Sequence, residues 1–123
     1  MNFRIKTSKE TGESLTYLQS TTGLSWNIIS RIAVAISLRD PSMPEQVSNK
    51  AGIDIPRSVM TGENDYIYKA LIRQHTKRNI TDEEYFPDLF NAHLERGINL
   101  LENEYKHAGN YEKLLLNLLK MEI

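Results

Sequence analysis

The sequence predicts a mainly α-helical fold that opens with a short extended segment. Three observations predict it. Apolar residues recur at three- and four-residue spacing along most of the chain, the period of helices with one buried face. Ser, Thr and Asn stand where those runs begin, and Gly where they end. Alternation with a period of two is confined to residues 2–6, where Phe3 and Ile5 oppose Arg4 and Lys6. A length of 123 residues suits one domain with a modest core. The expected organisation is a single domain over 1–123: a strand–helix–helix unit over 1–40, a loop over 41–62, and about three more helices over 63–123.

Each element has its own signal. Thr7 and Glu10 have capping-box spacing, so a first helix should start near Ser8, present Leu15 and Leu18, and end at Gly23. Gly12 inside it costs about 1 kcal/mol relative to Ala. Ser25 suits the N-cap of a second helix in which Trp26, Ile29, Ile32, Ala33 and Ile36 recur at helical spacing. Ile28 and Val34 fill in beside them, so this helix should be well buried, and Pro41 ends it. Four Pro or Gly breaks punctuate 41–56, with a brief extended piece at Ile53 and Ile55. A third helix over Glu63–Lys77 should bury Tyr66, Ile67, Ala70 and Leu71. Thr81 and Glu84 repeat the capping-box spacing, and Asp82, Glu83 and Glu84 suit the positive end of a helix dipole. Pro87 fits the first turn of a long fourth helix with a stripe of Phe90, Leu94, Ile98, Leu101 and Tyr105. Gly109 closes it, and Asn110 caps a last helix rich in leucine. That end serves either the protein's own core or a second subunit.

Composition narrows the function classes. No apolar run approaches the roughly 20 residues of a membrane span, and the N-terminus does not resemble a secretory signal. The chain has no cysteine, which excludes disulfides, thiolate metal sites and a thiol nucleophile. A cytoplasmic location is expected. Net charge is −1, but residues 1–60 carry seven Lys/Arg against five Asp/Glu, and the first nine residues carry Arg4, Lys6 and Lys9 with no acid.

Catalytic chemistry finds little support. His75, His93 and His107 lack metal-ligand spacing, and no phosphate-cradling glycine loop or nucleophile motif is present. No catalytic residue, metal or cofactor is therefore expected. Nucleic-acid contact is better motivated, because a few cations on one surface suffice for salt-sensitive phosphate binding. The candidate DNA-binding residues are Arg4, Lys6 and Lys9, joined by Arg31 and Arg39 on the second helix. The strand–helix–helix order also matches ribbon–helix–helix regulators, in which two chains pair their strands and Arg4 and Lys6 would read the major groove. Such domains end soon after the second helix, and this chain continues.

A family resemblance joins these residues. "RIKTSKETGESLTYLQSTTGLSWNIISRIAVAISLRDP" resembles the opening of the DndE family of bacterial DNA phosphorothioation (sulfur modification) systems. The match runs through Arg4, Ile5, Ser8, Thr22, Gly23, Trp26, Asn27, Arg31, Ala33, Ser37, Leu38 and Pro41. A second block is similar at Gly62, Glu63 and Leu71. A third, "HLERGINLL", is similar at His93, Arg96, Gly97 and Ile98. Ser30 stands where the family often has a cysteine, which argues against a thiol role there.

The resemblance implies a helical, non-catalytic subunit that acts with a cysteine desulfurase, an iron–sulfur protein and an ATPase. Those partners replace a non-bridging phosphate oxygen by sulfur. It also implies a homo-oligomer, a tetramer being favoured, that binds double-stranded DNA through surface lysines and prefers nicked duplex. In that reading Lys6 and Lys9 are phosphate contacts. Arg96 followed by Gly97 in mid-helix marks either a close helix approach, with Arg96 paired to a carboxylate such as Asp88, or a contact of Arg96 with phosphate or with a pathway partner. The alternatives are the ribbon–helix–helix regulator and a scaffold that touches only proteins.

Overall fold

Alternating side chains make a strand only where a second strand can satisfy the backbone, and the chain supplies its own. β1 (Arg4–Lys6) pairs antiparallel with β2 (Asp54–Pro56), Ile5 opposite Ile55. Both isoleucines are buried, while Arg4 and Lys6 face water. This computed structural model describes residues 3–120. A ribbon–helix–helix arrangement needs β1 to pair with another chain; here its partner is β2 of the same chain.

α1 (Lys9–Thr22) begins one residue from the predicted capping box, which does not form. Ser8 is the N-cap, its Oγ accepting from the Thr11 N–H at 3.0 Å. The Thr7 hydroxyl instead accepts from the Ile53 N–H at 2.9 Å, and the Glu10 carboxylate accepts from Asn49 at 3.0 Å. A loop some 40 residues away takes both groups before the local box can. Leu15 and Leu18 are buried as expected, and Gly23 ends the helix in the left-handed region.

α2 (Trp26–Leu38) buries Ile29, Ser30, Ala33, Val34 and Ser37. Trp26 and Ile28, expected inside, are exposed. The buried face is centred on small residues whose hydroxyls are satisfied: Ser30 Oγ donates to the Trp26 carbonyl and Ser37 pairs with His93. Apolar side chains off that face are left outside.

The reason for the small face is α5 (Phe90–Ala108), which crosses α2 in the most extensive helix contact of the fold. At the crossing Gly97 lies against Ala33, and a Cβ built on Gly97 would overlap the Ala33 carbonyl. Only glycine permits that approach. Phe90, Leu94, Ile98 and Leu101 form the predicted buried stripe, with Tyr105 half-buried. Pro87 lies ahead of α5, in a kinked segment over Glu84–Leu89 where Phe86 is extended at φ −133° and ψ 124°, and the Phe86–Pro87 peptide is cis. The Thr81–Glu84 box does form, with both hydrogen bonds in place at 3.1 and 3.2 Å.

The stretch expected to be loop holds a short helix, α3 (Arg57–Thr61), followed by a 3₁₀ turn over Gly62–Asn64 and then α4 (Asp65–Thr76). α4 is rotated from the predicted orientation. Tyr66, Ile67, Ala70 and Leu71 are exposed, Tyr66 at 71%, and Ile72 is the buried residue. Polar contacts set this orientation. Arg57 donates to Asp65 at 2.7 Å and to Asp82 at 2.9 Å, Lys69 reaches Asp82 at 3.5 Å, and the buried guanidinium stacks on Tyr85 and Phe86. Asp65, Lys69 and Ile72 share one helix face, so pairing the first two turns the apolar side outward. Asp82 thus serves a buried cation rather than a helix dipole. α6 (Tyr111–Lys120) is capped by Asn110, whose Oδ1 accepts from the Lys113 N–H at 2.9 Å.

Gly97→Ala is expected to lower unfolding free energy by about 3 kcal/mol, because a methyl must displace main chain; urea denaturation checks it. The acid limb of stability follows from two depressed pKa values. Hydrogen bonds from Arg57 hold Asp82 down at about 2, and burial, with His75 and Arg96 nearby, pushes His93 down to about 3. Each group binds its proton more weakly when folded, so each contribution is complete above the unfolded pKa and lost as pH falls toward the folded one. Stability should therefore decline below about pH 6.5 through His93 and more steeply below about pH 4 through Asp82. Asp82→Asn should make the second part of the curve shallower, with Asp65 on the same guanidinium keeping part of it, and leave the first part unchanged.

Candidate nucleic-acid interface

The basic edge is built by β1 and the first turn of α1. Ile5 inserts into the core and thereby turns Arg4 and Lys6 outward. Asn91 of α5 donates to the Lys6 carbonyl at 2.8 Å, and the Arg57 N–H donates to the Phe3 carbonyl at 2.6 Å, so both sides of the strand are tied down. Lys9 opens α1; its N–H donates to Asn49 Oδ1 at 2.8 Å while its side chain stays exposed. A shallow groove of about 360 Å³ runs beside it, lined by Lys9, Glu13, Thr16 and Ile53 among others.

The edge is less positive than its sequence. Arg4 Nε meets Asp54 Oδ1 at 2.9 Å, both side chains about half exposed, and Asp54 stands opposite Lys6 in the strand register. Exposed pairs of this kind contribute about 0–1 kcal/mol, so Arg4 can be drawn toward a phosphate at small cost. Lys6 and Lys9 make no ion pair among the described residues.

The structure separates the other two candidates from this edge. Arg31 is half-buried and donates to the carbonyls of Met60 and Val59, both at 3.0 Å. It closes the C-terminal end of α3, where helix carbonyls lack partners. Arg39 is exposed just past the end of α2, about 12 Å further along that helix than Arg31 at 1.5 Å per residue. Sequence reasoning passed over Arg73, exposed in the last turn of α4, and Lys77, exposed at the left-handed residue that ends that helix. The spacing of Lys69, Arg73 and Lys77 was the available signal.

The His93–Arg96 motif is spent inside the molecule. Arg96 donates to Ser37 Oγ and to the carbonyls of Ser37 and Ser42, each at 2.8 Å, and to that of Asp40 at 3.3 Å. It closes the carbonyl end of α2. Its nearest carboxylate is Asp40, at 3.6 Å, rather than Asp88. Ser37 Oγ accepts from Arg96 and lies 2.9 Å from His93 Nδ1, so the hydroxyl joins the two motif residues. The buried His93 ring lies against the His75 ring at 4.7 Å. His75 in turn donates from Nε2 to the Asp40 carbonyl at 2.6 Å. Among the described residues no group of three His, Cys, Asp or Glu is placed to hold a metal ion. No described helix is long and apolar enough to cross a membrane.

Comparison with known proteins bears on the same residues. A family model described as "DndE: DNA sulphur modification protein DndE" matches residues 4–109. The chain is similar to the crystal structure of DndE from Escherichia coli B7A, described as involved in DNA phosphorothioation modification. That likeness has a TM-score of 0.67 at 20% identity, covering 80% of this chain and 96% of that one. A mutant DndE, also described as involved in DNA phosphorothioation, matches with a TM-score of 0.63 at 20% identity, covering 84% and 99%. No curated protein matches by sequence. α6 lies beyond the family match.

Arg31→Ala should destabilise the fold by about 1–3 kcal/mol, since it strips two helix-end carbonyls of their donor. Lys6→Ala and Lys9→Ala should each stay within about 0.5 kcal/mol of the parent. Thermal or urea melts of the three variants give the comparison.

Proposed function

The chain belongs to the DndE family of DNA sulphur modification proteins, and from that we propose that it is a non-catalytic subunit of a phosphorothioation system that binds double-stranded DNA through backbone phosphates. The observation that carries the reading is the pair of exposed lysines, Lys6 and Lys9, which make no ion pair among the described residues, beside the weakly held Arg4 on an anchored edge. Three cations on fixed backbone can neutralise phosphates without reading bases. The motif residues His93 and Arg96 are engaged in holding α2, which supports a binding rather than a catalytic role.

A preference for nicked duplex fits the same edge. A nick removes bending resistance at one point, so a short row of cations can draw in phosphates that a straight duplex keeps apart. The protein then acts beside the pathway's cysteine desulfurase, iron–sulfur protein and ATPase in the bacterial cytoplasm. We assign it a homo-oligomeric state, a tetramer being favoured. The outward apolar face of Tyr66, Ile67 and Leu71 on α4 supports assembly, and several copies multiply a weak edge by avidity.

Binding to intact, nicked and single-stranded DNA across salt concentrations tests the proposal. Affinity for duplex should fall steeply with salt, and nicked duplex should bind best. Lys6→Ala with Lys9→Ala should reduce the slope of log K against log salt by about 2. A folded sample that binds no duplex at low salt would sink the reading.

A further inference from the structure

A cavity of about 240 Å³ opens between the loop after α2 and the start of α5, lined by Gln46, Val47, Lys50, Asp88 and Asn91. Its one buried wall residue is Asn91, 2% exposed. The Asn91 amide donates from Nδ2 to the Lys6 carbonyl at 2.8 Å, which fixes its orientation, because only the NH2 group can meet a carbonyl. Oδ1 is therefore the free pole of the amide, buried and with no hydrogen-bond partner among the described residues. Buried acceptors are nearly always paired, and a donor brought into the cavity is placed to pair with this one.

The other polar walls have nothing to bind inside the protein. Among the described residues the Lys50 ammonium, the Asp88 carboxylate and the Gln46 amide make no ion pair or side-chain hydrogen bond, and all three residues are exposed. A cation, a carboxylate and a buried carbonyl oxygen thus line a space below the roughly 300–1,000 Å³ of drug-sized sites. It suits one planar group of a larger molecule. The cavity also adjoins the basic edge. Asn91 holds the Lys6 carbonyl, and Lys50 follows Asn49, whose Oδ1 accepts from the Lys9 N–H at 2.8 Å.

The pattern of groups selects the occupant. The Asp88 carboxylate and Asn91 Oδ1 demand hydrogen-bond donors, which a phosphate lacks. Of the DNA bases, guanine alone presents adjacent donors, N1–H and the N2 amino group, with O6 beside them as an acceptor. Given duplex binding at the basic edge, on which this rests, we propose that the cavity receives an unpaired guanine from the end of a nicked strand. Asp88 accepts from N1–H and N2–H, Asn91 Oδ1 accepts the second N2 hydrogen, and Lys50 donates to O6. A base at a nick leaves the stack at lower cost than one inside continuous duplex, because its strand is already interrupted on one side. The edge then holds phosphates of any sequence, and the cavity adds a preference for the terminal base.

The experiment uses the full chain and nicked duplexes with one extra, unpaired nucleotide at the nick, bearing guanine, hypoxanthine, adenine, cytosine, thymine or no base. Hypoxanthine is guanine without the N2 amino group. Fluorescence anisotropy at low salt should show guanine bound roughly ten-fold more tightly than no base, with hypoxanthine between them. Asp88→Ala should erase these differences. If Asp88 were only a surface charge, its removal would strengthen binding to every duplex alike and leave the ratios unchanged, which overturns the proposal. Should that variant fail to fold, the ranking shown by the unsubstituted chain decides. Equal affinity for all six duplexes, or a ranking led by another base, overturns the guanine site and leaves duplex binding at the edge intact. No binding to any duplex defeats the duplex-binding reading itself. Amide shifts at Asp88 and Asn91 on adding free glycine, with all six duplexes equal, would make the cavity an amino-acid site instead.

Discussion

The contact between Gly97 and the Ala33 carbonyl sets the spacing on which the rest of the fold depends. With α5 this close to α2, the two neighbouring motif residues reach the end of α2 and close it. Arg96 supplies donors to three of the carbonyls there, and His93 Nδ1 pairs with the Ser37 hydroxyl. The same cluster orients α4, because His75 holds the Asp40 carbonyl. At the other end of α5, Asn91 holds the Lys6 carbonyl and so fixes β1. One helix thus positions both the buried polar network and the exposed basic edge. A substitution that widened the crossing would disturb both.

Much of this was legible in the sequence, and the reason differs by element. α1, α2, α5 and α6 announce themselves through local chemistry: apolar periodicity, joined by a polar residue ahead of α1, α2 and α6 and by a closing glycine after α1 and α5. Gly97 after Arg96 in the middle of a helix also read correctly as close approach. The misreadings all involve partners distant in sequence. Thr7 looked like a cap, but Ile53 takes its hydroxyl. α4 looked like a helix with its apolar side inward, but the pairing of Asp65 and Lys69 with Arg57 and Asp82 turned it. α3 lay hidden among prolines and glycines. Arg31 looked like a surface cation, but two carbonyls of α3 hold it. Periodicity records how much of a helix is apolar; it does not record which polar group finds a better partner elsewhere.

The candidate interface follows the same division. Exposure of Lys6 and Lys9 follows from strand alternation and a helix start, both local features. Competition by Asp54 for Arg4 follows from strand register, which only the folded chain reveals. The resulting edge is small and partly neutralised, suited to weak contact repeated over several copies rather than to tight binding by one.

Amide chemical-shift mapping of the labelled chain with a short nicked duplex tests the central claim most directly. The account predicts shifts gathered over residues 3–12 and the adjoining loop 49–54, diminishing as salt rises, with the Arg31 and Arg96 side-chain signals unmoved. Shifts centred on Arg73 and Lys77 at the end of α4, or on the Ser37–His93–Arg96 cluster, would contradict it.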